Sequence, residues 1–160
     1  MIKYQWESWR GIVSEALPLL DYYFNNGGVL FAKELPMDPD IEGAAWLDAT
    51  GRMQILTARR DGKLVGLNGF NVGGMLFRSR VVAANGLVLY LLPSERRGMT
   101  GVRLIKEAEK GLREMGVQLI IYTNGSDFDL GPLLLKLGYV TSNGALYEKL
   151  FPENIHGDGT

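Results

Sequence analysis

Arg96-Arg97-Gly98-Met99-Thr100-Gly101 is the stretch of this sequence best equipped for chemistry. Guanidinium groups can give bidentate hydrogen bonds to an oxyanion, and glycines let such a group come close to the backbone. A helix beginning here would add N–H groups without intrahelical partners and the positive end of its dipole. Together these describe a phosphate or pyrophosphate site. The stretch is not a Walker A loop, because no Gly-x-x-x-x-Gly-Lys-Ser/Thr occurs in the chain. It is not a dinucleotide fingerprint either: Gly98 and Gly101 lack a third glycine, and no acidic residue ends the later apolar run "QLIIYTN".

What the chain lacks narrows the chemistry further. There is no cysteine, which removes disulfides, thiolate nucleophiles and cysteine-ligated zinc. The single histidine, His156, sits in the polar tail "PENIHGDGT" and reads as a solvated residue. A Ser-His-Asp triad and a bound metal are therefore not expected. A net charge of −1 calls for neither nucleic acid nor an anionic membrane. No apolar run reaches the roughly 18 residues of a membrane span, and "MIKYQWESWR" does not have the pattern of a signal peptide. The expectation is a cytoplasmic protein. Its 160 residues, 46% of them apolar, suit one domain over 1–151 followed by a flexible tail over 152–160.

The elements that must position the arginine-glycine stretch follow from periodicity. Trp9, Ile12, Val13, Ala16, Leu17, Leu20, Tyr23 and Phe24 have helical spacing, with Pro18 expected to kink the helix or divide it. Asp38-Pro39 reads as an N-cap and first turn of a second helix through Ile41, Ala44, Ala45 and Leu47. "RMQILTARRDGKLVGLNGFNV" reads as two strands joined at Arg60-Asp61-Gly62, and Gly73-Gly74 as another turn. A strand from Ala83 to Leu92 is expected to be buried on both faces, with a bulge at Asn85-Gly86. After Pro93, the apolar positions Leu104, Ile105, Ala108, Leu112 and Met115 share one helical face, and Gly116 ends the helix. "VQLIIYT" returns as a buried strand, completing a right-handed parallel βαβ unit. A short helix at Leu130 to Leu137 and a last strand in "ALYEKLF" close the chain. The fold class is α/β with a mixed central sheet and helices on both faces. In such a unit, ligands bind at the C-terminal edge of the strands, where the arginine-glycine stretch lies.

"YLLPSERRGMTGVRLIKEAEKGLREMGVQLI" resembles the signature segment of the GNAT superfamily of acyl-CoA-dependent N-acetyltransferases. "LLLKLGYV" followed by "ALYEKL" is similar to that superfamily's closing segment, and the order of elements matches over roughly residues 1 to 150. The pattern looks nearest to phage-encoded and related bacterial members. The resemblance implies a GNAT-like fold, acetyl-CoA or another acyl-CoA as cofactor, and a pyrophosphate held by Arg96, Arg97, Gly98, Met99, Thr100, Gly101 and Val102. It also implies a pantetheine arm along Leu89, Tyr90, Leu91 and Leu92, with a backbone N–H near Tyr90 or Leu91 polarising the thioester carbonyl. Asp127 is a further cofactor-side candidate. There are departures. Glu95 stands where Arg or Gln is usual, Thr100 where Gly or Ala is usual, and Leu134 where a general-acid tyrosine often falls. Gly101 could compensate through a different loop path.

The implied reaction is acyl transfer to a primary amine. Tyr90, Tyr122 or Tyr139 could return a proton to the thiolate, and Asn124 could orient the acceptor. No Asp or Glu lies between Asp61 and Glu95. A base would come from Glu34, Asp48, Asp127, Asp129 or a water chain. Alternatives are a CoA-binding module of the same fold without turnover, and an acyltransferase acting on modified nucleic acid. The acceptor is a small molecule or a macromolecule, and the protein a monomer or homodimer. Trp6, Trp9 and Trp46 are expected to anchor helices to the sheet. Arg59-Arg60, Arg78 and Arg80 read as hairpin-end charges that could also meet a phosphate-bearing acceptor.

Overall fold

A computed structural model describes residues 1–26, 29–123, 130–142 and 147–155. The chain divides into two compact units, Met1–Leu20 with Asp40–Thr123, and Asp21–Pro39 with Asn124–Thr160. The first unit holds a five-stranded sheet in the order β1-β2-β3-β4-β5, formed by β1 (Ile2–Glu7), β2 (Met53–Arg60), β3 (Lys63–Met75), β4 (Arg78–Leu91) and β5 (Leu119–Ile121). Pairs β1/β2, β2/β3 and β3/β4 are antiparallel and β4/β5 is parallel, so the sheet is mixed, as expected.

β1 is an addition to the expected elements. Ile2, Tyr4 and Trp6 pack on one face and alternate with Lys3, Gln5 and Glu7, the period of a half-buried strand. Helix α1 (Trp9–Asn26) starts directly after it and passes through Pro18 as one element rather than two. Trp9, Ile12 and Ala16 are buried on its sheet-facing stripe. That burial outweighs the hydrogen bond that proline removes. Helix α2 (Ile41–Ala49) starts later than expected. Its N-cap is Asp40, whose side chain accepts from Gly43 N at 2.8 Å.

The Asp61-Gly62 hairpin is confirmed, with φ of 51° and 84°. Gly73-Gly74 does not turn; both residues pair within β3 against Ala83 and Val82, and the chain reverses at Leu76-Phe77. Helix α3 (Thr100–Glu114) buries Leu104, Ile105, Ala108 and Leu112 as the spacing required, but Met115, expected on that face, is 44% exposed beyond the helix end.

Strand alternation splits the core in two. Leu56 and Ala58 of β2 pack with Leu104, Ala108 and Leu112 of α3, while Ile55 packs with Trp9, Ile12 and Ala16 of α1. Helices thus cover both faces of the sheet. Trp6 and Trp9 anchor helices as expected; Trp46 does not, being 57% exposed with the Arg52 guanidinium over its ring. The second unit holds the end of α1, a turn in which Leu35 N donates to Phe31 O, and helix α4 (Gly131–Lys136). Residues 147–151 of the expected last strand are not in a strand, and residues 145–146 lie outside the described ones. Among the described residues, no helix is long and apolar enough to cross a membrane.

Candidate active site

The parallel pairing of β4 and β5 is short. Ala83, Ala84 and Asn85 meet Leu119, Ile120 and Ile121, and the ladder then stops. β4 continues to Leu91, so from Gly86 onward its outer edge has no strand partner among the described residues. The opening is built by two features. Leu87 is an extra residue in β4, since Gly69 faces Val88 while Phe70 faces Gly86, and this bulge leaves Leu87 52% exposed. The sequence placed the bulge one residue earlier, at Asn85-Gly86. Leu87 also corrects the expectation of a strand buried on both faces.

Gly86 is the other feature. A Cβ there would lie 3.1 Å from Tyr122 Cδ1 and 3.2 Å from Ile121 O. Tyr122 uses that space to cross β4 and reach β3. Its ring centroid sits 5.7 Å from that of Phe70, and its hydroxyl accepts a 2.8 Å hydrogen bond from Asn68 Nδ2. Asn68 is fully buried.

Backbone direction along the open edge follows from one bond. Leu92 N donates to Val65 O of the neighbouring strand at 2.9 Å. Alternation then turns the N–H of Tyr90 toward β3 and those of Leu89 and Leu91 outward. Of the donors expected near Tyr90 or Leu91, Leu91 faces the opening and Tyr90 does not. The Tyr90 side chain is buried, 3% exposed, under the Arg96 guanidinium, whose carbon is 5.5 Å from the ring centroid.

β4 leads into a 3-10 turn (Pro93–Glu95) and then into α3. Gly98 takes φ of 85°, a left-handed conformation that glycine adopts without strain, and this reverses the chain into the helix. The first helical bond runs from Arg103 N to Met99 O, so the N–H groups of Thr100, Gly101 and Val102 precede it. The N-cap Met99 makes no side-chain cap, and the first turn carries no acidic residue. Tyr4 Oη donates to Thr100 O at 3.1 Å and ties this helix end to β1. Burial, ahead of the opposing pull of Arg103, raises the Tyr4 phenol above its ordinary value.

The two arginines do different things. Arg96 folds back, its Nε donating to Leu91 O at 2.8 Å. Arg97 is exposed and, among the described residues, has no hydrogen bond or ion pair. Glu95 is held by Arg60 through two bonds of 2.8 and 2.7 Å. Arg59 turns to the other face and bonds Glu7 and Glu15. Sequence reasoning read Arg59 and Arg60 as hairpin-end charges that could also meet a phosphate-bearing acceptor, and did not foresee their carboxylate partners. Strand alternation, which sends neighbours to opposite faces, was the signal for their separate partners.

The structure thus brings together Leu89, Tyr90, Leu91, Leu92, Arg96, Arg97, Gly98, Met99, Thr100, Gly101 and Val102 as one continuous strand, turn and helix start, with Tyr122 at the mouth of the opening. Asn124, Asp127 and Asp129 lie outside the described residues. Glu34 and Tyr139 belong to the second unit, as does Leu134, which is buried in α4. Asp48 lies in the last turn of α2 and accepts from Arg10 N at 3.4 Å.

The chain as a whole is similar in fold to solved structures. A ribosomal-protein-alanine N-acetyltransferase from Brucella melitensis biovar Abortus 2308 matches with a TM-score of 0.68 at 20% identity, over 94% of this chain and 99% of that one. The fold is that of the GNAT acetyltransferases. An aminoglycoside acetyltransferase from an uncultured soil metagenomic sample, in complex with sisomicin, matches with a TM-score of 0.70 at 15% identity, over 94% of this chain and 95% of that one. A predicted acetyltransferase from Clostridium acetobutylicum, solved with acetyl-CoA, matches with a TM-score of 0.64 at 15% identity, over 98% and 100% of the two chains. No protein-family model and no curated protein matches the sequence. At these identities the GNAT fold is what is shared.

Proposed function

We propose that this GNAT-fold protein transfers an acetyl or short acyl group from acyl-CoA to a primary amine. The observation that carries the reading is the N-terminus of α3. Its first-turn N–H groups, with no acidic residue in that turn and beside the exposed Arg97, follow a strand edge that has no strand partner among the described residues. A diphosphate fits there on charge and on donor supply. Arg97 and the N–H groups of Thr100, Gly101 and Val102 would hold it, with Gly98 and Met99 shaping the approach. The outward N–H groups of Leu89 and Leu91 would bond the amide-bearing arm, the edge-pairing by which extended groups add to sheets. Arg96 has a supporting role, since it already braces Leu91 O and covers Tyr90.

Acyl-CoA supplies an activated thioester, so the amine nitrogen forms a C–N bond as the C–S bond breaks and the sulfur takes up a proton. In this reading an N–H on the outer edge of β4 would polarise the carbonyl. Tyr122, at the mouth of the opening, is the proton donor to the sulfur that we favour. Support also comes from the neighbours: one was solved with acetyl-CoA and another, an aminoglycoside N-acetyltransferase, with CoA.

The test is calorimetry with CoA followed by thiol release across a panel of amines. Arg97→Ala should weaken CoA binding by about ten- to a hundredfold, the loss of a charge-assisted hydrogen bond. Unchanged affinity would remove this site. Tight CoA binding without thiol release from any amine would instead point to a module without turnover.

A further inference from the structure

The loop that leads into α3 contains a carboxylate, Glu95, only two residues from the exposed Arg97. An unpaired carboxylate there would oppose a diphosphate through like-charge repulsion. The structure deals with it from a distant part of the chain. Arg60, the last residue of β2, sends Nε to Glu95 Oε1 at 2.8 Å and one terminal nitrogen to Oε2 at 2.7 Å. This side-on, two-bond geometry fixes orientation as well as charge. The Glu95 side chain is only 12% exposed and that of Arg60 is 44% exposed, so the carboxylate lies beneath its partner.

Both ends of the pair are themselves fixed. Arg60 pairs with Ile2 on β1 and with Lys63 across the Asp61-Gly62 hairpin. Glu95 closes the 3-10 turn, its N–H bonded to Leu92 O at 2.8 Å. Tyr4, on β1 as Ile2 is, donates to Thr100 O. The edge of the β1-β2 ladder thus grips the loop at Glu95 and again at the first residue of α3.

We propose that Arg60 is a positioning residue for the anion-binding loop: it neutralises and fixes Glu95 so that Arg97 and the α3 N-terminus can receive the diphosphate of CoA. Glu95, the residue at odds with the family pattern, is then one half of a pair whose cationic half comes from the hairpin. The hydrogen bonds from Arg60 also hold the Glu95 carboxyl below its ordinary range, so the pair stays ionised at neutral pH. The inference rests on the acyl-CoA reading above.

The experiment is a double-mutant cycle on CoA affinity, by calorimetry at low and high salt, with Arg97→Ala as reference. Arg113→Ala, at the far end of α3, serves as the control for loss of one positive charge. Arg60→Ala should weaken CoA about three- to tenfold at low salt, and less at high salt. Glu95→Gln should bind CoA as well as the parent protein or better. Arg60→Ala/Glu95→Gln should recover to within about twofold of Glu95→Gln, because the charge that Arg60 masks is gone. Thermal melts of each variant establish that it is folded; should Arg60→Ala melt early, Arg60→Gln takes its place in the cycle.

Equal weakening by Arg60→Ala in the parent protein and in the Glu95→Gln variant would overturn the proposal, since Arg60 would then not act through Glu95. So would an affinity unchanged by Arg60→Ala while Arg97→Ala lowers it, a result that leaves the acyl-CoA reading standing. Absence of CoA binding by the parent protein would instead defeat the acyl-CoA reading itself.

Discussion

Tyr122 and Asn68 show how single residues shape the opening between β4 and β5. The Tyr122 ring lies over Gly86 and its hydroxyl accepts from the buried Asn68 amide, so a side chain just past β5 is bound to β3 across β4. Tyr122→Phe would remove the acceptor and leave the Asn68 N–H in the core without that partner. The expected loss is about 1–3 kcal/mol of stability, the cost of a buried donor left unsatisfied. Replacing both groups removes the donor as well as the acceptor. Asn68→Leu/Tyr122→Phe should therefore be more stable than the sum of the two single losses, measured from urea midpoints. Strict additivity would mean that the two side chains do not act as a pair. Tyr122 was a candidate for returning a proton to the thiolate, but its partner was not legible. That pairing depends on the absence of a side chain at residue 86, which only the β4/β5 register makes meaningful.

Among the elements, α1 tests how far tertiary packing overrides local preference. Pro18 lies on the exposed face of the helix, one turn beyond Ser14, where it cannot donate and where its ring crowds the Ser14 carbonyl. The helix persists because Trp9, Ile12 and Ala16 pack on Ile55, Leu64 and Leu67. Pro18→Ala should restore the backbone bond and raise stability by about 1–3 kcal/mol, seen as a higher melting temperature. A lower melting temperature would show that the proline holds a backbone conformation the helix needs. The elements with strong periodicity were legible in the sequence: the face of α3 through Leu104, Ile105, Ala108 and Leu112, the Asp61-Gly62 turn, and the strand-helix-strand order around the loop. β1 was hidden because its six residues lead straight into α1, so its alternation merges with a helical one. The turn at Leu76-Phe77 was hidden because Gly73-Gly74 offered a more favourable local signal, while the sheet register kept those glycines paired.

At the scale of the whole sheet unit, the site and the core are linked through two consecutive arginines. Arg60 reaches the anion loop, and Arg59, on the opposite face, bonds Glu7 at the end of β1 and Glu15 on α1. This was not legible from composition, since a sequence of near-zero net charge gives no indication of which charges pair. The consequence is a defined acid sensitivity. Burial alone would raise the Glu7 carboxyl, but hydrogen bonds from Arg59, Thr57 and Gln5 outweigh it and hold it below the ordinary value of 4.5. Hydrogen bonds from Arg59 lower Glu15, and those from Arg60 lower Glu95. Each carboxyl is more acidic in the folded than in the unfolded chain, so between the two values the unfolded state binds more protons and stability rises with pH. The contribution is complete above the unfolded values, near 4.5, and is lost as pH falls through the lower folded values. Urea midpoints taken from about pH 3 to about pH 7 should therefore fall steeply below about pH 4.5. Glu7→Gln should lower the neutral-pH midpoint and flatten that acid limb, because Glu7 is the least exposed carboxylate around Arg59. An acid limb as steep in Glu7→Gln as in the parent would show that the Arg59 network does not couple folding to pH through Glu7.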